Sequence, residues 1–436
     1  MLVFSLPEPH HAHAAEGAPV QTLHVSHATH PSDTIAGNMY YGLSGSFNSI
    51  FAMRSSNGTL AWQYTPGPGG FIESDSLHVV AGMLYFSASN TLYALDASFG
   101  TVVWKSATLL GLYLWPLPVS NGLVFAGVKD GVDTFDALTG KLLWHAPTNA
   151  FVSTGVVVNT VAYFITSDGT AYALNVTKGT VIWHTSIGAA SSLTTVTNGV
   201  VYAVVRSTTS TTSDGNVYAL NASTGTILWQ YALPHTGSDG LFRLTVANSM
   251  VYVSENLGLS GFLFLALNAS SGTLLWPQQA GTTFVWYSIG NNMVYTSSFT
   301  KVSAHNPHDG RTLWSYQSSY SFEAFTVSNN TVYIAPNGTG TIVALNATTG
   351  HKLWSYKSHD SLLSWYIAAT NDAFYVNGTN VALALNAKNG TLLWRYVNQY
   401  AINTVPILVQ NVEYVTSSDS DAYALDAQTG KLLWAY

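Results

Sequence analysis

Ser328-Asn-Asn-Thr-Val-Tyr-Ile-Ala-Pro-Asn-Gly-Thr-Gly-Thr-Ile-Val-Ala-Leu-Asn-Ala-Thr-Thr-Gly-His-Lys-Leu-Trp354 is one copy of the unit from which the chain is built. Short runs of β-branched and aromatic residues, Thr331–Ile334 and Thr341–Leu345, alternate with clusters of Asn, Gly, Thr and Ser. That is the pattern of strands joined by tight turns. With the run Ala324–Val327 ahead of it and Lys352-Leu-Trp354 behind, each copy supplies four strands, A to D. The closing glycine and tryptophan, four residues apart, occur ten times. The pairs are Gly58/Trp62, Gly100/Trp104, Gly140/Trp144, Gly179/Trp183, Gly225/Trp229, Gly272/Trp276, Gly310/Trp314, Gly350/Trp354, Gly390/Trp394 and Gly430/Trp434. Steps between them are 38 to 42 residues, except the 46 and 47 that lead into Trp229 and Trp276. A period near 40 with one supersecondary unit per copy marks a solenoid or a propeller. No stretch sustains a helical period, so the fold is expected to be all-β.

The turns are written in the side chains. In eight copies an Asn or Asp stands eight residues before the Trp and is followed by Ala or Val, as in Asp96-Ala-Ser-Phe-Gly100. Such side chains bond their own backbone two residues on, and Gly accepts positive φ without steric cost. Asn306 takes the same place before Pro307, and only the first copy departs, with Arg54. The tryptophans are expected to end strand D and pack between units, because repeat proteins bury their cores between copies. The competing role for them is a ligand-stacking ladder.

The string Ala-x-Asp/Asn-x-x-x-Gly-x-x-x-Trp, as in Ala94–Trp104, resembles the tryptophan-docking motif of PQQ-type, quinoprotein-like β-propeller repeats. Tyr93, Tyr172, Tyr218 and Tyr423 before the Ala strengthen the likeness, which runs from about residue 30 to 436. The resemblance implies a propeller of four-stranded antiparallel blades, one per repeat. Rings of this family usually have eight blades; ten copies point to a ten-blade ring, with eight blades plus two extra copies as the alternative. It does not by itself imply a bound quinone. Dehydrogenases of the family hold PQQ with calcium through acidic and amide side chains, use a catalytic Asp, and often press a disulfide on the cofactor. This chain has no cysteine and six Glu, two of them near the N-terminus. Calcium takes six to eight oxygens, carboxylates among them. PQQ with calcium therefore belongs only to an alternative reading, and no cofactor or metal is expected.

Charged residues make up 8% of the chain, against the ~25% usual in soluble proteins. Ser, Thr, Asn and Gly solvate the surface instead. With a net charge of −7, no clustered Lys/Arg footprint for nucleic acid exists, nor a polybasic patch for anionic lipid. No run of 18 apolar residues predicts a membrane-spanning helix. Residues 1–20 read as a disordered leader or signal-peptide remnant, with Ala12-His-Ala14 resembling a cleavage site, and 21–436 as one domain. The histidines crowding the leader lack the spacing of a metal site. Nine Asn-x-Ser/Thr triplets follow from the turn chemistry and carry no weight as glycosylation sites.

Three tryptophans stand outside the repeat set. Trp115, Trp286 and Trp365 lie 11, 10 and 11 residues after a repeat Trp, where the chain should return from rim to inner strand. Tyr287, Tyr366 and Phe325 fall at or beside that offset, Glu73 takes it in the second copy, and Arg243 lies just past it. Glu323 and Asp75 are the other acids near this level. The two longest copies are extended between strands B and C, at Arg206–Gly215 and Ser254–Gly261, and one-face insertions are where repeat proteins tend to bind. Aromatics at one shared height form either a funnel for a sugar, peptide or planar ligand, or a plug over a wide channel. No nucleophile elbow, P-loop or zinc motif is present. The expectation is a non-catalytic binding or scaffold module outside the cytoplasm, with a protein or glycan partner at the channel mouth. A quinone-dependent dehydrogenase and the sensor portion of a larger surface or kinase-linked protein are the alternatives. Oligomeric state is not legible here.

Overall fold

The computed structural model describes residues 34–43, 48–67, 70–73, 77–109, 116–188, 192–206, 215–233, 242–256, 262–276, 279–281, 286–322, 324–402, 405–409, 411–417 and 422–435. The leader and its histidines lie outside them. All regular structure among the described residues is β, in antiparallel meanders of four strands, as in Met83–Ala88 between His78–Val80 and Thr91–Asp96, with Val102–Lys105 outermost. No helix among them is long and apolar enough to cross a membrane. Eight sheets have four strands. A ninth has seven, because Lys352–Ala369 runs unbroken as strand D of the eighth unit and strand A of the ninth. The expected D-to-A connection there is continuous strand.

The hairpins follow from their turn residues. Asn198 and Gly199 both hold positive φ, 50° and 74°, between Ser192–Thr197 and Val200–Arg206. Two such residues in a row give the turn whose twist matches that of the flanking strands. Between strands C and D the Asx side chain organises the loop: Asp96 Oδ1 accepts from the backbone N–H groups of Ser98 (2.8 Å) and Phe99 (3.0 Å). Arg54 cannot do this, yet its turn keeps the backbone bonds, Gly58 N–H to Arg54 O (2.8 Å) and Arg54 N–H to Thr59 O (2.9 Å). In the first copy Asn57 Oδ1 supports the turn instead, accepting from the Thr59 N–H (3.1 Å) and hydroxyl (2.8 Å).

The repeat tryptophans from Trp62 to Trp394 each cross to the next unit, where the indole N–H donates to the carbonyl of the residue after the Asx. Trp62 reaches Ala97 (3.0 Å), Trp104 Ala137 (2.8 Å), Trp144 Val176 (2.9 Å), Trp183 Ala222 (2.9 Å) and Trp229 Ala269 (2.9 Å). Trp276 reaches Pro307 (2.7 Å), Trp314 Ala347 (2.9 Å), Trp354 Ala387 (2.9 Å) and Trp394 Ala427 (2.8 Å). Each ring lies on the next turn's glycine, Trp144 on Gly179, Trp183 on Gly225 and Trp314 on Gly350 among them. A Cβ on Gly272 would stand 2.6 Å from the Trp229 ring, and the φ of 69° is itself hostile to a side chain, so only Gly serves. The motif's alanine has a partner role. Ala94 faces Trp104, Ala219 faces Trp229 and Ala384 faces Trp394 across strands C and D, each beside a one-residue register shift.

Two details of the docking depart from expectation. The tryptophan does not end strand D. Trp144 lies within Leu142–Pro147, Trp183 within Val181–Ser186 and Trp314 within Thr312–Gln317. The reason is that the ladder with strand C continues past the indole, to Pro147 opposite Gly131, Ser186 opposite Thr170 and Gln317 opposite Lys301. Nor is the burial uniform. Trp183 is sealed in its layer, whereas Trp144 and Trp314 pack against theirs with part of the ring still open to water. The hydrogen bond is kept at all three, so docking does not require complete burial.

A second donor joins the indole. From strand B of the same unit a tyrosine hydroxyl reaches the carbonyl that the indole uses: Tyr41 and Ala97 (3.0 Å), Tyr85 and Ala137 (3.0 Å), Tyr375 and Ala427 (3.2 Å). Burial, and then the nearby Asp96 carboxylate, pushes the Tyr41 phenol up to about 12. Phe125, in the unit of Trp144, has no hydroxyl to offer, and Tyr252 turns to the Met250 sulfur instead. The core is thus a series of layers between neighbouring sheets. The circuit of contacts returns to its start, since Trp434 N–H and Tyr414 O–H both reach Ser55 O (3.1 and 3.4 Å) and Tyr40 stacks on Tyr414 at 5.5 Å. Among the described residues no strand is shared across that seam.

One core position breaks the pattern. Leu84, Val124, Val201 and Phe374 occupy the strand B site beside the tyrosine, and in the tenth unit that site is Glu413, fully buried, with neither carboxylate oxygen hydrogen-bonded. Desolvation pushes this carboxyl up to about 8, and its field raises the facing Tyr375 phenol further.

Two outcomes are expected. Trp394→Ala should cost roughly 3–5 kcal/mol in denaturant unfolding, through a lost buried ring and one of the two hydrogen bonds to Ala427 O. Glu413 should make stability fall as pH rises. The unfolded carboxyl ionises from about 4.5 upward while the folded one keeps its proton to about 8, so the loss is roughly 1.4 kcal/mol per pH unit across that window. Glu413→Gln should flatten the profile in urea melts between pH 5 and about 8.

Candidate functional site

The first strands of consecutive units approach one another, among them Val152–Val158, Ser192–Thr197 and Phe242–Ala247, and so form the inner wall. The offset shared by the extra aromatics falls at the start of this inner strand: Trp286 and Tyr287 open Trp286–Gly290, and Phe325 opens Phe325–Ser328. They are strand residues rather than part of a connection, because their β-branched and aromatic neighbours favour pairing over a loop.

Alternation then sends them different ways. Phe325, 3% exposed, packs with Tyr295, Val302 and Val343 between the seventh and eighth units. It is core and does not line a mouth, since its face of the strand is the one turned to the seventh unit. Tyr287 turns to the sixth unit, 5.0 Å from Phe264, and its hydroxyl shares a 2.9 Å hydrogen bond with Thr245. Burial raises its phenol, opposed by hydrogen bonds from Thr245 and Ser254 and by the Arg243 charge. Trp286 is half-buried against the seventh-to-eighth layer, and Arg243 lies over its ring with Cζ 4.5 Å from the centroid. Trp286 and Arg243 form a cation–π pair worth about 0.5–2 kcal/mol.

Arg243, Trp286 and Tyr287 therefore come together from the sixth and seventh units. Glu73 belongs to the second unit, half-buried, where its N–H donates to Ser87 O (3.2 Å). Tyr366 sits on Lys352–Ala369, with burial raising its phenol. Trp115, Glu323, Asp75 and most of the two long B-to-C loops lie outside the described residues, as does the side chain of Trp365.

The electrostatics single out Arg243. Thirteen of the chain's fourteen Lys and Arg have a described exposure, and twelve of these are exposed; Arg243 alone is partly withdrawn from water. Desolvation lowers its pKa. Other polar contacts hold structure together: a hydrogen bond between His145 Nδ1 and Asp133 Oδ1 (2.7 Å), and the ion pair of Arg395 with Asp360 (Nε–Oδ2 3.0 Å) between units.

The family resemblance raises a calcium-bound quinone, and the donor set decides its fit. Among the described residues no three His, Cys, Asp or Glu side chains converge, and the group around Trp286 offers a cation and hydroxyls where a divalent ion wants carboxylates. These residues do not fit that pair.

Comparison with known proteins gives a consistent family. The profile described as outer membrane protein assembly factor BamB matches residues 46–207, 192–285, 265–367 and 338–436. Quinoprotein alcohol dehydrogenase PedE of Pseudomonas putida is 35% identical over 97 residues, 22% of this chain and 14% of that protein. The chain thus matches about a seventh of that relative's length. Among solved structures, BamB from Moraxella catarrhalis aligns with 80% of this chain and 95% of its own, at TM-score 0.38 and 16% identity. The computationally designed Ika8 protein aligns with 72% of this chain and 98% of its own, at TM-score 0.43 and 15% identity. The quinohemoprotein alcohol dehydrogenase ADHIIG from Pseudomonas putida HK5 aligns over 90% and 69% respectively, at TM-score 0.39 and 14% identity.

Arg243→Ala is expected to cost no more than about 2 kcal/mol and to shift the emission of the uncovered Trp286. Denaturant unfolding followed by fluorescence reads both. A cost above about 4 kcal/mol would make Arg243 a core element.

Proposed function

This chain belongs to the BamB-like family of PQQ-type repeat proteins, and we propose that it is a non-catalytic propeller that holds a protein or glycan partner at its inner mouth. The observation that carries the reading is the Arg243–Trp286–Tyr287 group. The repeat accounts for its Gly, Ala, Asx, Tyr and Trp through unit-to-unit docking, but it has no use for an arginine over an extra tryptophan. Side chains that the frame does not need, gathered on inner strands, are where a partner would be met.

The family description, an assembly factor, supports a role exercised on another macromolecule. An arginine–aromatic pair suits that role, because Arg, Trp and Tyr dominate binding hot spots. We place the protein outside the cytoplasm, at the cell envelope or beyond, and read residues 21–436 as a single binding domain.

Purified protein on peptide and glycan arrays should give a specific hit. Trp286→Ala should weaken that hit at least tenfold while moving the melting temperature by only a few degrees. A parent-like hit from the variant would exclude the Trp286 site. The dehydrogenase alternative, supported by the likeness to PedE, requires calcium-dependent dye reduction after PQQ is added. The sensor alternative requires further domains in the same polypeptide.

A further inference from the structure

We propose that the ligand presented to Arg243 carries a single carboxylate on an otherwise neutral sugar chain, a uronic acid residue. The inference rests on the mouth reading above and deepens it.

Arg243 is the one Lys or Arg of described exposure that is partly withdrawn from water, and among the described residues no carboxylate pairs with it. A guanidinium in that position has lost solvation without gaining a counter-charge, which is costly unless an anion is supplied. Its Cζ lies 4.5 Å from the Trp286 ring centroid. A guanidinium held over a ring keeps the N–H fork of its edge, which matches a carboxylate two to two.

The surroundings say what the rest of the ligand is like. Thr245 and Tyr287 share a hydrogen bond beside the pair, and Trp286 and Tyr287 are both half-buried. Aromatic flanks with hydroxyls suit a pyranose, which has an apolar C–H side and a rim of hydroxyls. A polyanion is disfavoured, because the chain carries −7 overall and this group contributes one positive charge. One acidic group among neutral ones fits both facts.

The test titrates the full chain with the mono-acid disaccharide galacturonosyl-galactose, with neutral galactobiose and with N-acetyl-glutamate amide, read by calorimetry and tryptophan quenching. Galacturonosyl-galactose should bind at least tenfold more tightly than galactobiose, and more weakly at raised salt. Arg243→Gln should erase that preference while moving the melting temperature by only a few degrees, and Arg243→Lys should recover part of it. Equal binding of the two disaccharides, lost in Trp286→Ala, overturns the carboxylate and leaves the mouth reading standing. Binding of the glutamate amide in place of galacturonosyl-galactose overturns the sugar class. Failure of all three probes overturns the inference, and the array experiment then decides separately whether the mouth binds anything.

Discussion

An indole N–H that crosses a gap between sheets to meet a turn carbonyl is the constraint on which this structure depends. A hydrogen bond of this kind contributes on the order of 1 kcal/mol net, and the buried ring around it several times more. Its geometry dictates the rest of the motif. The Asx side chain holds the carbonyl in place, the glycine leaves room for the ring above it, and the alanine across the strand pair leaves room behind it. The tyrosine hydroxyl satisfies the carbonyl's second lone pair. Five residue types recur together because they surround one oxygen atom.

This explains how much could be read from the chain alone. Gly and Trp at fixed spacing, with Asx ahead, report backbone geometry, and geometry is local enough to be legible in sequence. How far each indole is covered is not local, and so Trp144 and Trp314 carry the same motif as Trp183 while keeping more of the ring in water. The tyrosine of strand B repeats almost as faithfully, yet an aromatic in an apolar strand looks like ordinary core, and its hydroxyl partner is 52 residues away for Tyr85. Glu413 was equally hidden, since one acid in a Val-Glu-Tyr-Val run looks like the polar face of an edge strand. The near-common offset of Trp286, Tyr287 and Phe325 is visible in the sequence, but one residue of difference decides the face: Trp286 and Phe325 meet the layer between the seventh and eighth units from opposite sides, while Tyr287 turns to the sixth. Arg243 was placed near the mouth by its position; its desolvation is visible only in three dimensions.

Two ionisable groups are withdrawn from water at odds with the frame, and they differ in kind. Glu413 is sealed in a layer between units, beyond the reach of any ligand, and it answers to pH. Arg243 is only partly covered, on an inner strand, with a planar partner that orients it. The first adjusts how firmly the tenth unit packs on the ninth. The second is placed to meet something from outside.

The strand Lys352–Ala369 alters the mechanics of the assembly. Between Leu142–Pro147 and Val152–Val158 a short loop joins one sheet to the next, and a loop transmits no ladder of backbone bonds. In repeat arrays whose parts touch only their neighbours, units can fray almost independently. Here a single 18-residue strand pairs with Gly338–Asn346 on one side and Ala373–Gly378 on the other, with register shifts near its middle where it passes between the two sheets. Pulled from either end, the eighth and ninth units share one rupture event, a rigid double segment.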